Sequence, residues 1–319
     1  MSDSIGTVGL WVGFLVFVIL MLAVDLGLFN RKAHKIGMRE AGLWTVVWIS
    51  LALIFNVGIY HWFGTQHALE FFTGYLMEKA LSMDNLFVFL VLFNFFGVPA
   101  QYQHRVLFFG ILGALIMRAI FIFLGVAIIE VFHPIMYVFG AFLLFTGIKL
   151  ALSKGEQVHP EKNLMLRIFR KVVPSVPDYH KEHFVVRIDH RWYATPLLAV
   201  LVVIEATDVL FAVDSIPAVF GITRDPFIVF TSNIFAILGL RALYFLLAGI
   251  VEKFRYLKYG LGVILAFVGV KMLVEDLLAG IGREIPIAMS LGVIAGVLGL
   301  SIALSMIIPD KSVDGGKTP

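Results

Sequence analysis

Hydrophobic residues along this chain stand in long blocks, separated by shorter stretches of polar and charged residues. A membrane-spanning helix needs about 20 mostly apolar residues, because the hydrocarbon core of a bilayer is about 30 Å thick and a helix rises about 1.5 Å per residue. Blocks of this length predict an all-α polytopic membrane protein with about nine transmembrane helices. The predicted spans are 9–29, 42–62, 71–96, 106–130, 135–152, 195–220, 227–250, 257–277 and 286–308.

The composition agrees with a chain that resides in lipid. Of its 319 residues, 60% are hydrophobic and 15% are charged, and the mean hydropathy is +0.94. A soluble domain of this size cannot bury so much apolar surface. The lack of cysteine excludes disulfides, thiolate metal sites, iron–sulfur clusters and thiol redox chemistry. The sequence contains no nucleophile–base set, no HExxH motif and no basic patch with interleaved aromatics, so we expect neither an enzyme nor a nucleic-acid partner, and no cofactor.

Lysine and arginine are distributed unevenly between the predicted connections. Because basic residues are retained in the cytoplasm, the side that carries 18 of them is predicted to be cytoplasmic, whereas the opposite side carries only Arg224 and Arg283. We therefore expect an inner-membrane protein with its N-terminus outside and its C-terminus in the cytoplasm. The basic connections are 30–41, 97–105, 153–193, 251–258 and the tail 309–319.

The longest polar connection, 153–193, separates two halves of the chain. Its prolines and charges predict a partly irregular cytoplasmic segment, with a short amphipathic helix over "NLMLRIFRKVV" at 163–173. The predicted units are an N-terminal two-span segment (1–70), a first three-helix repeat (71–152), the connection, a second repeat (194–278), and a last span with its tail (279–319).

The two halves resemble each other in sequence. "GAFLLFTGIK" at 140–149 aligns without gaps with "GVILAFVGVK" at 262–271. Two glycines and a lysine coincide, and we expect the glycines to allow close helix packing. The coinciding pairs are Gly140 with Gly262, Gly147 with Gly269, and Lys149 with Lys271.

Two further landmarks extend the likeness upstream. Arg118 lies 31 residues before Lys149, and Arg241 lies 30 residues before Lys271. Acidic residues also recur with one spacing, since Glu78 and Asp84 are six residues apart, as are Asp208 and Asp214. Spans 3–5 therefore repeat as spans 6–8. A unit of three spans reverses direction in its second copy, so the sequence predicts an inverted repeat, as in many secondary transporters.

Acidic residues lie twice inside otherwise apolar spans, in "EKALSMDNLFVF" at 78–89 and in "EATDVLFAVDSI" at 205–216. An ionised carboxylate near the bilayer centre costs at least about 2.5–3.5 kcal/mol, so these acids are candidates for a transport site. The alternative is structural ion pairing, with Arg118 and Arg241 as counter-charges. The candidate ligands are Glu78, Asp84, Glu205, Asp208 and Asp214.

Helical spacing constrains how these acids can meet. At about 100° per residue, Glu205 and Asp208 lie about 60° apart on one face, whereas Asp214 points about 120° away from Asp208. A helix break between them, near Pro217 and around the corresponding acids of span 3, would let them face one cavity. An ordinary proline kink is the alternative. Supporting candidates are Asn85 and Ser215, with Asp25 in "MLAVDLGLF" as a further one.

Carboxylate, amide, hydroxyl and carbonyl oxygens are hard ligands that suit Mg²⁺, Ca²⁺ or Mn²⁺. No histidine or cysteine accompanies the acids in these two spans, which argues against zinc and copper. Clustered carboxylates in an empty site retain protons, because like charges repel and burial disfavours the charged form. The pattern therefore predicts exchange of a divalent cation for protons.

Three stretches resemble the TerC/Alx family of integral membrane proteins: "TGYLMEKALSMDNLFVF", "ATDVLFAVDSIPAVFGITRDPFIVFTSNIFAILGLRALYFLLAG" and "YGLGVILAFVGVKML". The likeness covers essentially all nine spans and the long connection. It implies a membrane protein linked to manganese export, alkaline induction and tellurium-oxyanion resistance, with the five acids as its ion site. An oxyanion would need cationic or N–H donors, so the acidic pattern does not support the tellurium function.

Together these features predict an exporter of Mn²⁺, with Ca²⁺ as a second ion, that works by proton antiport in the lipid bilayer. An accessory protein that supplies metal to exported proteins at the secretion machinery is the alternative from another class. The sequence leaves the oligomeric state open.

Overall fold

A computed structural model of the chain describes residues 4–29, 37–132, 134–152, 164–248, 256–279 and 285–307. These residues form eleven helices and one two-stranded hairpin. The elements are α1 (Val8–Phe29), α2 (Met38–Phe63), α3 (Thr65–Phe96), α4 (Ala100–Val131), α5 (Ile135–Leu152), α6 (Leu164–Val172), β1 (Val185–Ile188), β2 (Arg191–Ala194), α7 (Pro196–Phe220), α8 (Pro226–Leu238), α9 (Leu240–Leu247), α10 (Leu257–Ala279) and α11 (Ile287–Ile307).

The helices confirm an all-α polytopic membrane protein. Seven helical segments of the described chain are long and apolar enough to cross a bilayer, with α8 and α9 counted as one segment. Two predicted spans are not among the seven: α1, whose described apolar stretch is the shorter Val8–Val24, and α3. The count of nine spans therefore stays a prediction.

Span 7 is divided into α8 and α9 at Gly239, and protein surrounds it almost completely. A side chain at Gly239 would begin 2.8 Å from Lys79 Nζ and 3.2 Å from Cβ of Trp48. The ammonium of Lys79 donates a hydrogen bond of 3.0 Å to the carbonyl of Ala236, three residues before the break. A half-buried lysine thus satisfies a backbone acceptor at the end of α8, where the bilayer offers no water.

Helices α5 and α10 approach each other so closely that only glycine fits at four positions of their contact. A Cβ at Gly147 would lie 2.6 Å from the carbonyl oxygen of Gly262, and one at Gly269 would lie 2.7 Å from that of Gly140. These contacts confirm the prediction that the repeated glycines serve close packing. The earlier glycine of each helix meets the later glycine of the other, so the two helices run antiparallel.

The helices of the two predicted repeats pack against each other rather than as separate units. Helix α3 packs on α8, α4 packs on α7, and α5 packs on α10. On the far side of α8, rings of α1 and α2 complete an aromatic layer, in which Phe14 and Phe55 contact Phe235 at 5.7 and 5.0 Å between centroids.

The polar connection folds partly as predicted. Its amphipathic helix exists as α6, which buries Leu166 and Phe169 against the helical core. The β1–β2 hairpin was missed, because its two-residue turn is formed by Asp189 and His190 at φ 47° and 63°. Such turns favour Asn-Gly or Asp-Gly, and the sequence offers neither there. Residues 153–163 of the connection lie outside the described residues.

The predicted helix break beside the acids is wrong. Helix α3 is continuous through 78–89, and α7 is continuous from Pro196 to Phe220 with Pro217 inside its last turn. A proline so close to the end of a helix removes one backbone hydrogen bond and leaves the rest of the ladder intact. The interruption lies in span 7, at Gly239, which packs against neighbouring helices.

Candidate functional site

Arg118, on α4, lies at the centre of four helices and is completely buried. Its Nη1 donates to a carboxylate oxygen of Glu78 on α3, and its Nη2 donates to Oδ1 of Asp208 on α7 at 3.3 Å. The same Nη1 lies 3.3 Å from Oγ of Ser215 and 3.2 Å from Oδ1 of Asn233 on α8. We call these five residues the central polar cluster.

Asn233 completes the cluster from the side of α8. Its Nδ2 donates to the second carboxylate oxygen of Glu78 at 3.1 Å, while its Oδ1 accepts from Arg118. Each carboxylate oxygen of Glu78 therefore has a donor from a different helix. This arrangement is the structural ion pairing that the sequence analysis set against a transport role, and it ties α3, α4, α7 and α8 together.

A cavity of about 290 Å³ adjoins the central polar cluster, between α3, α5, α7 and α10. It extends from Glu78 toward the end of the molecule where α5 ends and α10 begins, since Leu150 and Leu261 also line it. Its remaining apolar lining comes from side chains of the same four helices. The polar side chains of its lining are Glu78, Asn85, Arg118, Thr146, Lys149, Asp214 and Ser215.

The charged side chains described in the lining of this cavity comprise equal numbers of acidic and basic groups. Two carboxylates, Glu78 and Asp214, are matched by Arg118 and Lys149. Besides the carboxylates, the lining offers hydroxyl and amide oxygens from α3, α5 and α7. Hard oxygen ligands from several helices can replace the water shell of a Ca²⁺- or Mn²⁺-sized cation, whereas the two basic groups oppose a cation unless they move aside.

The four predicted acids whose side chains the structure describes do not converge on one point. Glu78 belongs to both the central polar cluster and the cavity, Asp208 belongs to the cluster, and Asp214 lines the cavity. Glu205 faces α4 instead, where its carboxylate fills the space beside Gly113. Glu205 and Asp208 thus share the α7 face turned toward α4, as their spacing predicted, and Asp214 points elsewhere on an unbroken helix.

Some predicted residues lie beyond what the structure describes. The side chains of Asp84 and Asp25 are outside the described residues, although α3 and α1 pass through both positions. Arg241 is buried on α9, just after the break at Gly239. Within the described part of the chain, no three histidine, aspartate or glutamate residues are grouped so that they could hold a metal ion.

Sequence reasoning missed Asn233, Lys149 and Thr146 as parts of the site. Asn233 carried a signal, because a lone asparagine in the apolar stretch "TSNIFAIL" needs a hydrogen-bond partner inside the membrane. Lys149 was recognised as a landmark of the repeat, but its place in the cavity depends on how α5 is rotated. Thr146 carried no signal, since threonine commonly bonds to the preceding turn of its own helix, as it does here with Phe142 at 3.0 Å.

Comparison with known proteins gives a consistent group of relatives. Residues 63–313 match the profile of the integral membrane protein TerC family. A Myxococcus xanthus protein named "Uncharacterized membrane protein STKORF319" is 54% identical over 304 residues, which cover 95% of this chain and 94% of the relative. Proteins named "Putative membrane-bound redox modulator Alx" are 49% identical in Escherichia coli (strain K12) and in Salmonella typhi, over 95% of this chain and 96% and 95% of the relatives. No solved structure matches the chain.

Proposed function

Because the chain belongs to the integral membrane protein TerC family, we propose that it is a membrane transporter that exports divalent metal cations. Mn²⁺ is the proposed substrate, with Ca²⁺ as a second ion. The observation that carries the proposal is the cavity of about 290 Å³, in which Glu78 and Asp214 stand with neutral oxygen donors from three helices. A buried polar cavity between packed helices is where transporters bind their ions.

The chemistry of the lining supports the choice of ion. Carboxylate, amide and hydroxyl oxygens favour Mg²⁺, Ca²⁺ and Mn²⁺ over softer metals. Mg²⁺ gives up its waters reluctantly, which makes Mn²⁺ and Ca²⁺ the better fit for a cavity that must replace them. Asn85 and Ser215 follow Asp84 and Asp214 directly in sequence, so equivalent donors come from corresponding positions of both repeats.

The packing of the two halves supports an inverted repeat that alternates access to the cavity. The first helix of each half packs on the second helix of the other, and the two third helices pack on each other. A two-fold axis in the membrane plane would produce these pairings. The nine spans, with α3 among them and α8–α9 as one, complete this proposed architecture.

The proposed orientation places the N-terminus outside and the C-terminus in the cytoplasm of the inner membrane. The 18 basic residues on one side against two on the other support it. A phosphatase or fluorescent reporter fused after the last residue should report a cytoplasmic location, and one inserted within 221–226 an external one. A cytoplasmic signal from 221–226 would contradict the orientation and the inverted repeat with it.

Proton antiport is the proposed energy source. When no cation is bound, carboxylates such as Asp214 can carry protons, which an entering cation displaces and an inward proton gradient supplies again. The coupling is tested by measuring Mn²⁺ flux and internal pH in liposomes with an imposed pH gradient and a clamped voltage. Flux that ignores the gradient and moves no protons would indicate a uniporter and leave the metal site standing.

The transport function itself is tested with purified protein in liposomes, ion by ion. We expect Mn²⁺ flux from the wild type, and little from Asp214→Asn, which keeps the side chain's size but removes its charge. Asp84→Asn should behave in the same way. Asp178→Asn is the matched control, because this exposed aspartate lies in the polar connection. Full flux from both Asp214→Asn and Asp84→Asn would leave structural ion pairing as the better account of the acids.

The other functions are distinguished by the same preparation. An accessory protein at the secretion machinery would move no metal on its own. A tellurium-oxyanion site would need unmatched cationic donors, whereas Arg118 is engaged by Glu78 and Asp208 and Lys149 stands in a cavity with Asp214. The relatives named as redox modulators suggest a further role, but a chain without cysteine has no thiol of its own to carry it.

A further inference from the structure

A buried lysine closes the end of the molecule opposite to the cavity. Lys271, on α10, is 4% exposed and donates a hydrogen bond of 2.9 Å to the carbonyl oxygen of Gly221, the residue that ends α7. Gly221 has no room for a side chain, because a Cβ there would lie 2.5 Å from Val268 and 2.9 Å from Met272. The end of α7 is therefore held tightly against α10. We call this end, where α7 and α10 finish, the outer end.

Other contacts among the described residues also hold the outer end together. The hydroxyl of Thr223, just beyond α7, donates to a carboxylate oxygen of Glu70 on α3 at 2.8 Å. Below this bond, buried apolar side chains of α3, α5 and α10 fill the space between the helices, among them Met77, Met136 and Met272. Two hydrogen bonds and packed apolar side chains therefore hold the described helices together at the outer end.

The opposite, inner end has a lysine in the corresponding place, but with a different environment. Lys149 is the residue that aligns with Lys271 in the repeat, and it lies in the last turn of α5. It lines the cavity together with Asp214, whose basic neighbour it is. Lys271 therefore bonds to a helix end and also has Glu275 and Glu70 as acidic neighbours. Lys149, in contrast, lines the cavity with Asp214 as its acidic neighbour.

The glycine contacts relate the two lysines geometrically. Helices α5 and α10 cross antiparallel. Gly140 of α5 meets Gly269 of α10, and Gly147 of α5 meets Gly262 of α10, so the two contacts are related by an exchange of the helices. An operation that exchanges α5 with α10 carries Lys149 onto Lys271. A transporter that opens its two ends in turn would therefore exchange the environments of these two lysines.

We propose that Lys271 and Lys149 are the latches of the outer and inner gates, each bonding to backbone at its own end when that end is closed. This inference rests on the proposed transport function and extends it to the step that closes the cavity. A cation that binds at Asp214 repels the ammonium of Lys149. The ammonium then moves away from the Asp214 carboxylate and bonds to backbone at the inner helix ends. The loaded site thereby promotes closure of the inner gate, and the outer latch is released in the same movement.

Cysteine labelling tests the outer latch without any metal. Because the chain has no cysteine, an introduced Ile222→Cys is its only thiol, and Ile222 is buried at the outer end. In wild-type background we expect slow reaction with a membrane-impermeant maleimide. Lys271→Met and Lys271→Gln should each raise the rate about tenfold or more, as expected when the closed state loses a hydrogen bond to a charged group. Lys271→Arg, which keeps the donor, should restore protection.

Lys149→Met is the matched control, because it makes the same substitution at the aligned position of α5. It should leave Ile222→Cys protected, because Lys149 takes no part in the bonds that hold the outer end. In a Leu150→Cys background, added Mn²⁺ should slow labelling in the presence of Lys149 and fail to slow it in Lys149→Met. Two results would overturn the latch. One is a labelling rate of Ile222→Cys that stays unchanged in both Lys271→Met and Lys271→Gln; the other is an equal rise of that rate in Lys149→Met.

The two proposals fail separately. Labelling in the absence of metal reports the outer gate alone, so it stands or falls without reference to the transported ion. Loss of Mn²⁺ flux in liposomes with the predicted labelling intact would count against the proposed substrate. Normal flux with unchanged labelling in the Lys271 variants would count against the latch.

Discussion

Replacement of Gly147 by alanine should force α5 and α10 apart. The new Cβ would lie 2.5 Å from the backbone nitrogen of Ala266 and 2.6 Å from the carbonyl oxygen of Gly262. Both are backbone atoms, so no side chain can rotate away to relieve the contact. Atoms in van der Waals contact need about 3.5–4 Å, and the helices must therefore separate locally by about 1 Å.

The expected cost follows from two opposing effects. Overpacking a tight contact destabilises by about 1–3 kcal/mol, whereas alanine in the middle of a helix is favoured over glycine by about 0.5–1 kcal/mol. We expect Gly147→Ala to lose about 1–2 kcal/mol in net stability. Gly292→Ala, on α11, is the matched control, because its Cβ would meet no atom within 4 Å. That variant should be neutral or gain about 0.5–1 kcal/mol.

The assay is thermal unfolding of both variants, purified in the same detergent and followed by size-exclusion chromatography of a fluorescent fusion. The two variants should shift the midpoint of thermal unfolding in opposite directions. Comparison with Gly292→Ala separates the close contact from the general effect of exchanging glycine for alanine. Because α5 and α10 both line the cavity, Gly147→Ala should also reduce ion flux. A midpoint for Gly147→Ala equal to that of Gly292→Ala would refute the argument that close backbone contact selects the glycines.

Three further outcomes are expected. Arg118→Met leaves Glu78 and Asp208 buried without their common partner and should cost about 3–5 kcal/mol, whereas Arg105→Met removes an exposed pair of 3.2 Å and should cost less than about 1 kcal/mol in the same denaturation series; equal costs would contradict the central role of Arg118. Lys79→Met leaves the carbonyl of Ala236 without its donor and should lower the free energy of unfolding by about 1–3 kcal/mol; unchanged stability would mean that the break in span 7 does not depend on the lysine. Burial raises the pKa of Tyr179, whose hydroxyl donates to the carbonyl of Phe96 at 2.6 Å. This attachment should be fully present below the ordinary tyrosine pKa of about 10 and lost as pH rises through the raised value; the protection factor of the connection, which corrects exchange for its base-catalysed intrinsic rate, should therefore fall there in the wild type and stay constant in Tyr179→Phe.

The sequence by itself determined the class of the protein and the places of its polar residues. Length of apolar blocks is a local property, so helices such as α7 and α10 begin and end within a few residues of their predicted bounds. The cost of charge in lipid singled out Glu78 and Asp214. The recurrence of the glycines predicted close helix packing, whereas their pairing, Gly147 with Gly262 and Gly140 with Gly269, came from the structure.

Only the tertiary structure decided which of these residues meet. The rotation and tilt of each helix are set by side chains from distant parts of the chain, which no local pattern contains. For that reason Glu205 turned toward α4 while Asp214 faced the cavity, and Asn233 joined Arg118. The break fell at Gly239 rather than beside Pro217: a proline in a last turn costs one backbone bond, whereas Gly239 lies at the junction of α8 and α9, where Lys79 and Trp48 of two other helices approach it.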